Sequence, residues 1–193
     1  MLQENQTAEE KRKSELLIML TEYGVSLEIF PYEWLCTTDF FRAPASAGHH
    51  AAHPGGLYEH SRNVAETLLD LTKRGVIKTW ERPESPLIVG MLHDVTKIDM
   101  YKAMQDMNMA THELEIVYIK NPEFNSFGGH GYDSVCKIEQ HMNLTAEERL
   151  CIRYHMGAYY KEDWDGYGKS IREYPNVLWT HTADMYASKV LEG

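Results

Sequence analysis

The sequence predicts an all-α domain with one small β-hairpin-like insertion at residues 101–129. Apolar residues recur at helical spacing in most segments, and Gly or Pro bounds these segments. One stretch, residues 113–118, alternates instead with a period of two, which is typical of a strand. A chain of 193 residues is long enough for one sizeable core. We therefore expect a single domain over residues 1–193, with a helical extension at residues 1–39.

The first part of the chain predicts three helices and a loop. Leucines at helical spacing predict a helix over residues 8–23, and a short helix follows at residues 32–36. The third helix extends from Gly55 to Gly75, and its apolar stripe contains His60. The segment TDFFRAPASAGHHAAHPGG is rich in small residues, Gly and Pro, and predicts a loop that brings three histidines together.

The stretch LIVGMLHDVTKI predicts a buried helix with ionisable groups at its end. Ser85 is suited to cap this helix, and Pro86 is suited to its first turn. The apolar run ends on His93 and Asp94, and Lys97 follows three residues later. Burial of such groups is costly unless they are paired or bound to a metal.

The last part of the chain predicts three more helices. One begins at His130, and a capping box formed by Thr145 and Glu148 begins the next, which is expected to include His155. The segment GAYYKEDWDGYGKSIREY has no clean period and predicts a loop. The final helix starts at Pro175 and places Val177, His181, Asp184, Ser188 and Leu191 on one row.

Five predicted helices turn an imidazole or a carboxylate toward an apolar face. The residues concerned are His60, His93, Asp94, His130, His155 and Asp184. One such histidine is more often a hydrogen-bonded core residue than a ligand, but the repetition favours a shared role. Nitrogen and oxygen ligands without sulfur suit Fe, Mn, Co, Ni or Zn. A divalent metal site therefore accounts for the buried ionisable groups.

Composition and charge limit the classes of function. The chain has 43% hydrophobic and 25% charged residues, and no apolar run approaches the roughly 18 residues of a membrane span. Its polar N-terminus is unlike a signal peptide, which predicts a cytoplasmic protein without membrane partners. A net charge of −10 disfavours binding to long nucleic acid. Cys36, Cys136 and Cys151 form no CxxC pair, so we expect reduced, buried thiols.

The same residues resemble a known family. The order His60, His93-Asp94, Asp184 is similar to the H…HD…D motif of the HD-domain metal-dependent phosphohydrolase superfamily, which has an all-helical core. HPGGLYEHSRNVA resembles its GGLxxH helix, MLHDVTKI its LHDxxK signature and THTADMYAS its terminal AD segment. The resemblance covers residues 40–189. FFRAPASAGHHAAHPGGLYEHS also resembles the HD part of bacterial 3′-5′ exoribonucleases and HD hydrolases carried by phages and prophages.

The resemblance implies a site for two divalent metals per chain. The residues that would hold the first metal are His60, His93, Asp94 and Asp184. The residues that would complete the second, with Asp94 as the bridge, are His130 and His155. Such a site would use a metal-activated water to cleave a phosphate ester of a nucleotide or related small phosphorylated substrate. No nucleic-acid-binding module accompanies the motifs, which disfavours polynucleotide substrates.

Catalytic roles are expected for Asp94, Lys97 and His50. Lys97 would stabilise charge on a phosphoryl oxygen, or else be a surface lysine at a helix end. His50, together with His49, would contact phosphate or protonate the leaving group, or be a solvent-exposed bystander.

Two other functions remain open at this stage. Some HD-domain proteins with the same ligands are mixed-valent diiron oxygenases, and a non-catalytic metal-binding scaffold is a third reading. The aromatic residues of segment 157–174 could stack a nucleobase or form a cover without a specific ligand. They are also compatible with a homodimer.

Overall fold

The computed structural model describes residues 7–48, 51–108, 112–158 and 161–193. Most of these residues are helical, and a two-stranded antiparallel sheet is inserted among the helices. The α-helices are α1 (Ala8–Glu22), α2 (Tyr32–Thr37), α3 (Gly56–Lys73), α4 (Ser85–Leu92), α5 (His130–Ile138), α6 (Ala146–Arg153), α7 (Asp163–Glu173) and α8 (Asn176–Tyr186). The strands are β1 (Tyr101–Met107) and β2 (Leu114–Lys120). A 3-10 turn spans Val95–Lys97, and a π-helical turn spans Ala187–Leu191.

The N-terminal helix packs on the centre of the fold. A capping box of Thr7 and Glu10 starts α1, and Leu16 and Leu20 are buried on its inner face. Arg12 on α1 reaches α3, where its guanidinium lies 2.9 Å from a carboxylate oxygen of Glu59. The predicted extension is therefore joined to the rest of the chain by both apolar and ionic contacts.

Helices α3 and α4 form the closest helix pair of the core. Every residue of α4 is buried, as the run LIVGML predicted. Gly90 allows the close approach, because a Cβ atom added there would overlap the backbone of Ala65 on α3. This contact places the end of α4, and therefore His93 and Asp94, beside the middle of α3.

The predicted helix cap at Ser85 is wrong. Ser85 lies inside α4, and Glu84 is the cap residue without a side-chain cap hydrogen bond. The Ser85 hydroxyl instead donates to the buried carboxylate of Glu148 at 2.8 Å. Arg82 binds both oxygens of the same carboxylate at 2.7 Å. A buried carboxylate is costly without hydrogen-bond partners, so the Ser85 hydroxyl binds Glu148 and does not cap the helix.

The insertion is a regular antiparallel hairpin. Tyr101 pairs with Lys120 at its base, and Met107 pairs with Leu114 at its far end. The strand expected near residues 113–118 is present, and β1 is its partner. The loop that follows is held to α5 by Asp133, which accepts hydrogen bonds from Ser126 Oγ (2.5 Å) and the backbone N–H of Gly128 (3.1 Å).

The prediction of a loop throughout residues 157–174 is wrong, because residues 163–173 form α7. Tyr167 and Ile171, one turn apart, pack against the core. Gly166 obscured this helix in the sequence, since glycine disfavours helix interiors. Its role is steric: an added Cβ would overlap the hydroxyl of Tyr154.

The three cysteines differ in their exposure to solvent. All three cysteines are free; Cys151 is buried as expected, Cys36 is partly buried and Cys136 is exposed. The expectation of buried thiols is therefore wrong for Cys136. Among the residues that the structure describes, no helix has the length and apolar character needed to cross a membrane.

Candidate metal centre

Three helices and one tight turn bring the central ionisable groups together. His60 lies in the second turn of α3, His93 directly follows α4, and Asp94 is the next residue. All three are buried, and one ligand atom from each lies within 4.8 Å of the others. Asp184 on α8 borders the same point, with its Oδ1 atom 3.1 Å from Nε2 of His60. These four residues are those expected to hold a first metal.

The distances among these atoms are short and similar. Nε2 of His60 lies 3.2 Å from Nε2 of His93. Oδ2 of Asp94 lies 3.8 Å from the His60 nitrogen and 3.7 Å from the His93 nitrogen. Metal–ligand bonds of about 2.0–2.2 Å separate neighbouring ligands by roughly these distances. The spacing is therefore suitable for one small cation at the centre.

Hydrogen bonds on the outer nitrogen orient each imidazole. His93 Nδ1 donates to the carbonyl of Gly90 at 2.8 Å, and His60 Nδ1 lies 3.1 Å from both carboxylate oxygens of Glu192. His155 Nδ1 donates to the carbonyl of Ile152 at 2.7 Å. Because Nδ1 carries the proton in each ring, the neutral form of each directs an Nε2 lone pair inward.

A divalent cation fits this donor set. The inward lone pairs of His60 and His93 would face each other and two carboxylates, an arrangement that repels unless a positive charge lies between them. Asp94 Oδ1 is also buried, and no donor among the described residues forms a hydrogen bond with it. Nitrogen and carboxylate donors of this kind suit first-row transition metals.

The two oxygens of Asp94 face different histidines. Oδ2 faces His60 and His93, whereas Oδ1 lies 3.5 Å from Nε2 of His155. The sequence predicted that α6 includes His155, and this prediction is wrong. Helix α6 ends at Arg153, and His155 lies in the turn after it. His130, at the start of α5, lines with Asp94 and His155 a cavity of about 370 Å³. His155 thus lies on the Oδ1 side of Asp94, and His130 lines the same cavity.

Lys97 is paired with Asp94. Its Nζ atom lies 2.5 Å from Asp94 Oδ2, and the residue is only 6% exposed, which contradicts the alternative of a surface lysine. Burial alone would raise the pKa of Asp94, but the Lys97 ammonium and the His155 ring beside Oδ1 lower it well below its usual value. Burial alone would lower the pKa of Lys97, but Asp94 raises it. The pair is therefore carboxylate and ammonium.

The three central histidines differ in their proton affinity. Burial opposes the charged form of His60, but hydrogen bonds with Asp184 and Glu192 raise its pKa to about 9. Burial lowers the pKa of His93 to about 4. Burial also opposes the charged form of His155, but its interaction with Asp94 raises the pKa. His60 and His155 are thus the two rings that favour a proton, which a metal cation would have to displace.

Glu192 is a residue of the site that the sequence reasoning missed. It contacts His60, and Asn63 on α3 donates to it at 2.9 Å. The π-helical turn explains the omission, because its wider turns shift the register after Tyr186. Leu191, which a continuous helix would place on the Asp184 row, is instead 48% exposed.

Other candidate residues lie at the edge of the site or outside the described residues. His181, on the Asp184 row, donates from Nδ1 to the carbonyl of His155 at 2.7 Å and so supports the turn that carries His155. His49 and His50 lie outside the described residues, as do Tyr159 and Tyr160.

No protein-family model, curated protein or solved structure matches this chain. The site is therefore defined by its own geometry, which is a buried group of His60, His93 and Asp94 that could hold a metal ion.

Proposed function

We propose that this chain is an HD-domain, divalent-metal-dependent phosphohydrolase that cleaves a phosphate ester of a nucleotide or related small phosphorylated substrate. The observation that carries the proposal is the convergence of buried His60, His93 and Asp94 with partly exposed Asp184, with imidazole lone pairs directed inward. The order of these residues along the chain is the one that the family resemblance implies.

The proposed site holds two cations that share Asp94. Its Oδ2 atom faces the residues of the first position, and its Oδ1 atom faces His155 at the second. His130 belongs to the second position because it lines the same cavity. Burial lowers the pKa of His130, so the ring is neutral near pH 7 and has a lone pair to donate.

Bound divalent cations would supply Lewis acidity toward the phosphoryl oxygens and toward a water nucleophile. The chain itself supplies positive charge beside them: Lys97 and Lys189 both line the cavity. Lys97 is held in place by Asp94, so its ammonium group is available without reorganisation to stabilise charge that develops on the substrate. In a chain of net charge −10, these lysines offset the carboxylates of Asp94 and Asp184, which line the same cavity, and bound cations would then favour an anionic ester.

Phosphate release tests the proposal. Protein loaded with Mn, Co, Ni, Zn or Fe(II) is incubated with a panel of nucleotides and sugar phosphates. We expect metal-dependent release of phosphate by the wild type and none by Asp94→Asn, whereas Asp165→Asn, an exposed change on α7, retains it. Oxygen consumption by a two-iron form without phosphate release would instead assign the site to the oxygenase class. Absence of both reactions would favour a non-catalytic scaffold.

A further inference from the structure

A second cavity adjoins the candidate metal centre. It has a volume of about 390 Å³ and lies between the hairpin, the loop after β2, the start of α5 and the end of α6. It shares Tyr101, His130 and Met156 with the cavity at the metal centre. The two cavities therefore lie side by side, with these three side chains at their common border.

The walls of this outer cavity are aromatic and apolar. The side chains concerned are Tyr101, Phe124, Tyr132, Tyr154, Met100 and Met156. Aromatic faces stack on nucleobases, and methionine adapts to flat apolar surfaces. The volume lies in the range of small-molecule sites, about 300–1,000 Å³.

The outer cavity also has cationic side chains. Lys120 and Arg153 line it, opposed by Asp163, whose carboxylate lies 3.9 Å from the Arg153 guanidinium. That guanidinium lies 5.7 Å from the ring centre of Tyr132 and 5.2 Å from that of Tyr154. Arg153 is thus oriented by two aromatic rings while remaining accessible to a ligand.

The shape of the cavity is fixed by the fold. Asp133 holds the loop after β2 through Ser126 and Gly128, as described above. Gly131 allows α5 to approach the end of α6, because an added Cβ there would overlap the carbonyl of Arg153. The wall that carries Tyr132 and the wall that carries Arg153 are therefore set against each other before any ligand binds.

We propose that the outer cavity binds the aromatic base of a nucleoside phosphate whose phosphoryl group lies at the metal centre. This inference rests on the proposed function and names its specificity site: Tyr132 and Arg153 select a nucleoside leaving group by contact with its aromatic base. The insertion at residues 101–129 then has a defined role, since it builds one side of that site.

The experiment compares ligands that differ only in the base. The four common ribonucleoside 5′-monophosphates are tested against ribose 5-phosphate, which has the same sugar and phosphate. One readout is kcat/KM for phosphate release by the metal-loaded protein. The other is the dissociation constant from calorimetry on the full chain dialysed against EDTA, where no turnover occurs.

We expect at least one nucleotide to have a kcat/KM about tenfold higher, or a dissociation constant about tenfold lower, than ribose 5-phosphate. This is the effect of stacking one base. Tyr132→Ala combined with Arg153→Ala should reduce this ratio toward one. The matched control, Tyr23→Ala with Arg149→Ala, replaces exposed residues that line neither cavity and should preserve it.

Two results would overturn the inference: no nucleotide preferred over ribose 5-phosphate in either readout, or a preference that survives loss of Tyr132 and Arg153. Phosphate release without base preference leaves the proposed function in place and rejects the cavity assignment. Base-dependent binding without phosphate release supports the cavity assignment and rejects the proposed function.

Discussion

The carboxylate of Glu192 lies 3.1 Å from Nδ1 of His60, the ring nitrogen that faces away from the candidate metal position. Such a contact fixes the orientation of the ring and increases the basicity of the inward nitrogen. Asn63 holds Glu192 in place at 2.9 Å. Glu192 is therefore a positioning residue for the metal centre.

Replacement of Glu192 should weaken metal binding without unfolding the protein. We expect Glu192→Ala to lower the affinity for Co²⁺ or Zn²⁺ by about 10–100-fold. Glu192→Gln, which can still accept a hydrogen bond, should lose less. Glu66→Ala, which removes an exposed carboxylate from α3, is the matched control. Equal affinity in Glu192→Ala and the wild type would remove this role.

Metal affinity should rise with pH. The pKa of metal-free His60 is about 9, so its ring is protonated near pH 7, and a metal must displace that proton. Below the pKa of His60, each pH unit should therefore strengthen binding by at least about tenfold, and the effect should level off above it. Titrations with Co²⁺ at several pH values measure this slope. An affinity independent of pH would contradict the assignment of His60 as a ligand.

Lys97 should act on turnover rather than on metal content. Lys97→Met removes the ammonium beside Asp94 and keeps much of the side-chain volume. We expect unchanged metal per chain and a kcat reduced by about 10²–10³, as for loss of one preorganised electrostatic group. Metal analysis and phosphate release are measured on the same sample. Wild-type kcat would make Lys97 a purely structural partner of Asp94.

The second metal position depends on His130 and His155. His130→Ala or His155→Ala should each reduce metal content from about two to about one per chain. The reason is that His155 faces Oδ1 of Asp94 and His130 lines the same cavity. His141→Ala, an exposed histidine stacked on Trp34, controls for loss of a surface imidazole. Two metals per chain in both variants, as in the wild type, would contradict the assignment of His130 and His155 to the second position.

The contact between α3 and α4 should limit stability. Gly90→Ala forces a Cβ against the backbone of Ala65, so we expect the free energy of unfolding to fall by about 1–3 kcal/mol or more. Gly48→Ala, where an added Cβ meets no atom within 4 Å, should change it little. Urea titration compares the two variants. Similar midpoints for both would mean that α3 and α4 tolerate separation at this point.

The sequence predicted the parts of the fold that local signals determine. The capping box at Thr145, the buried run ending at His93 and the stripe containing His60 each appear where expected. It failed where a distant contact decides the local structure: Gly166 makes room for Tyr154 inside a helix. Glu192 was missed for a related reason, because a π-helical turn has no clear sequence signal.

Metal analysis of anaerobically purified protein is the most direct test of the account. We predict about two divalent ions per wild-type chain, and a near-complete loss in Asp94→Ala, since Asp94 faces both proposed positions. Circular dichroism confirms that the variant is folded. A wild type that remains metal-free when grown with added metals, or an Asp94→Ala variant with the wild-type content, would contradict the central claim.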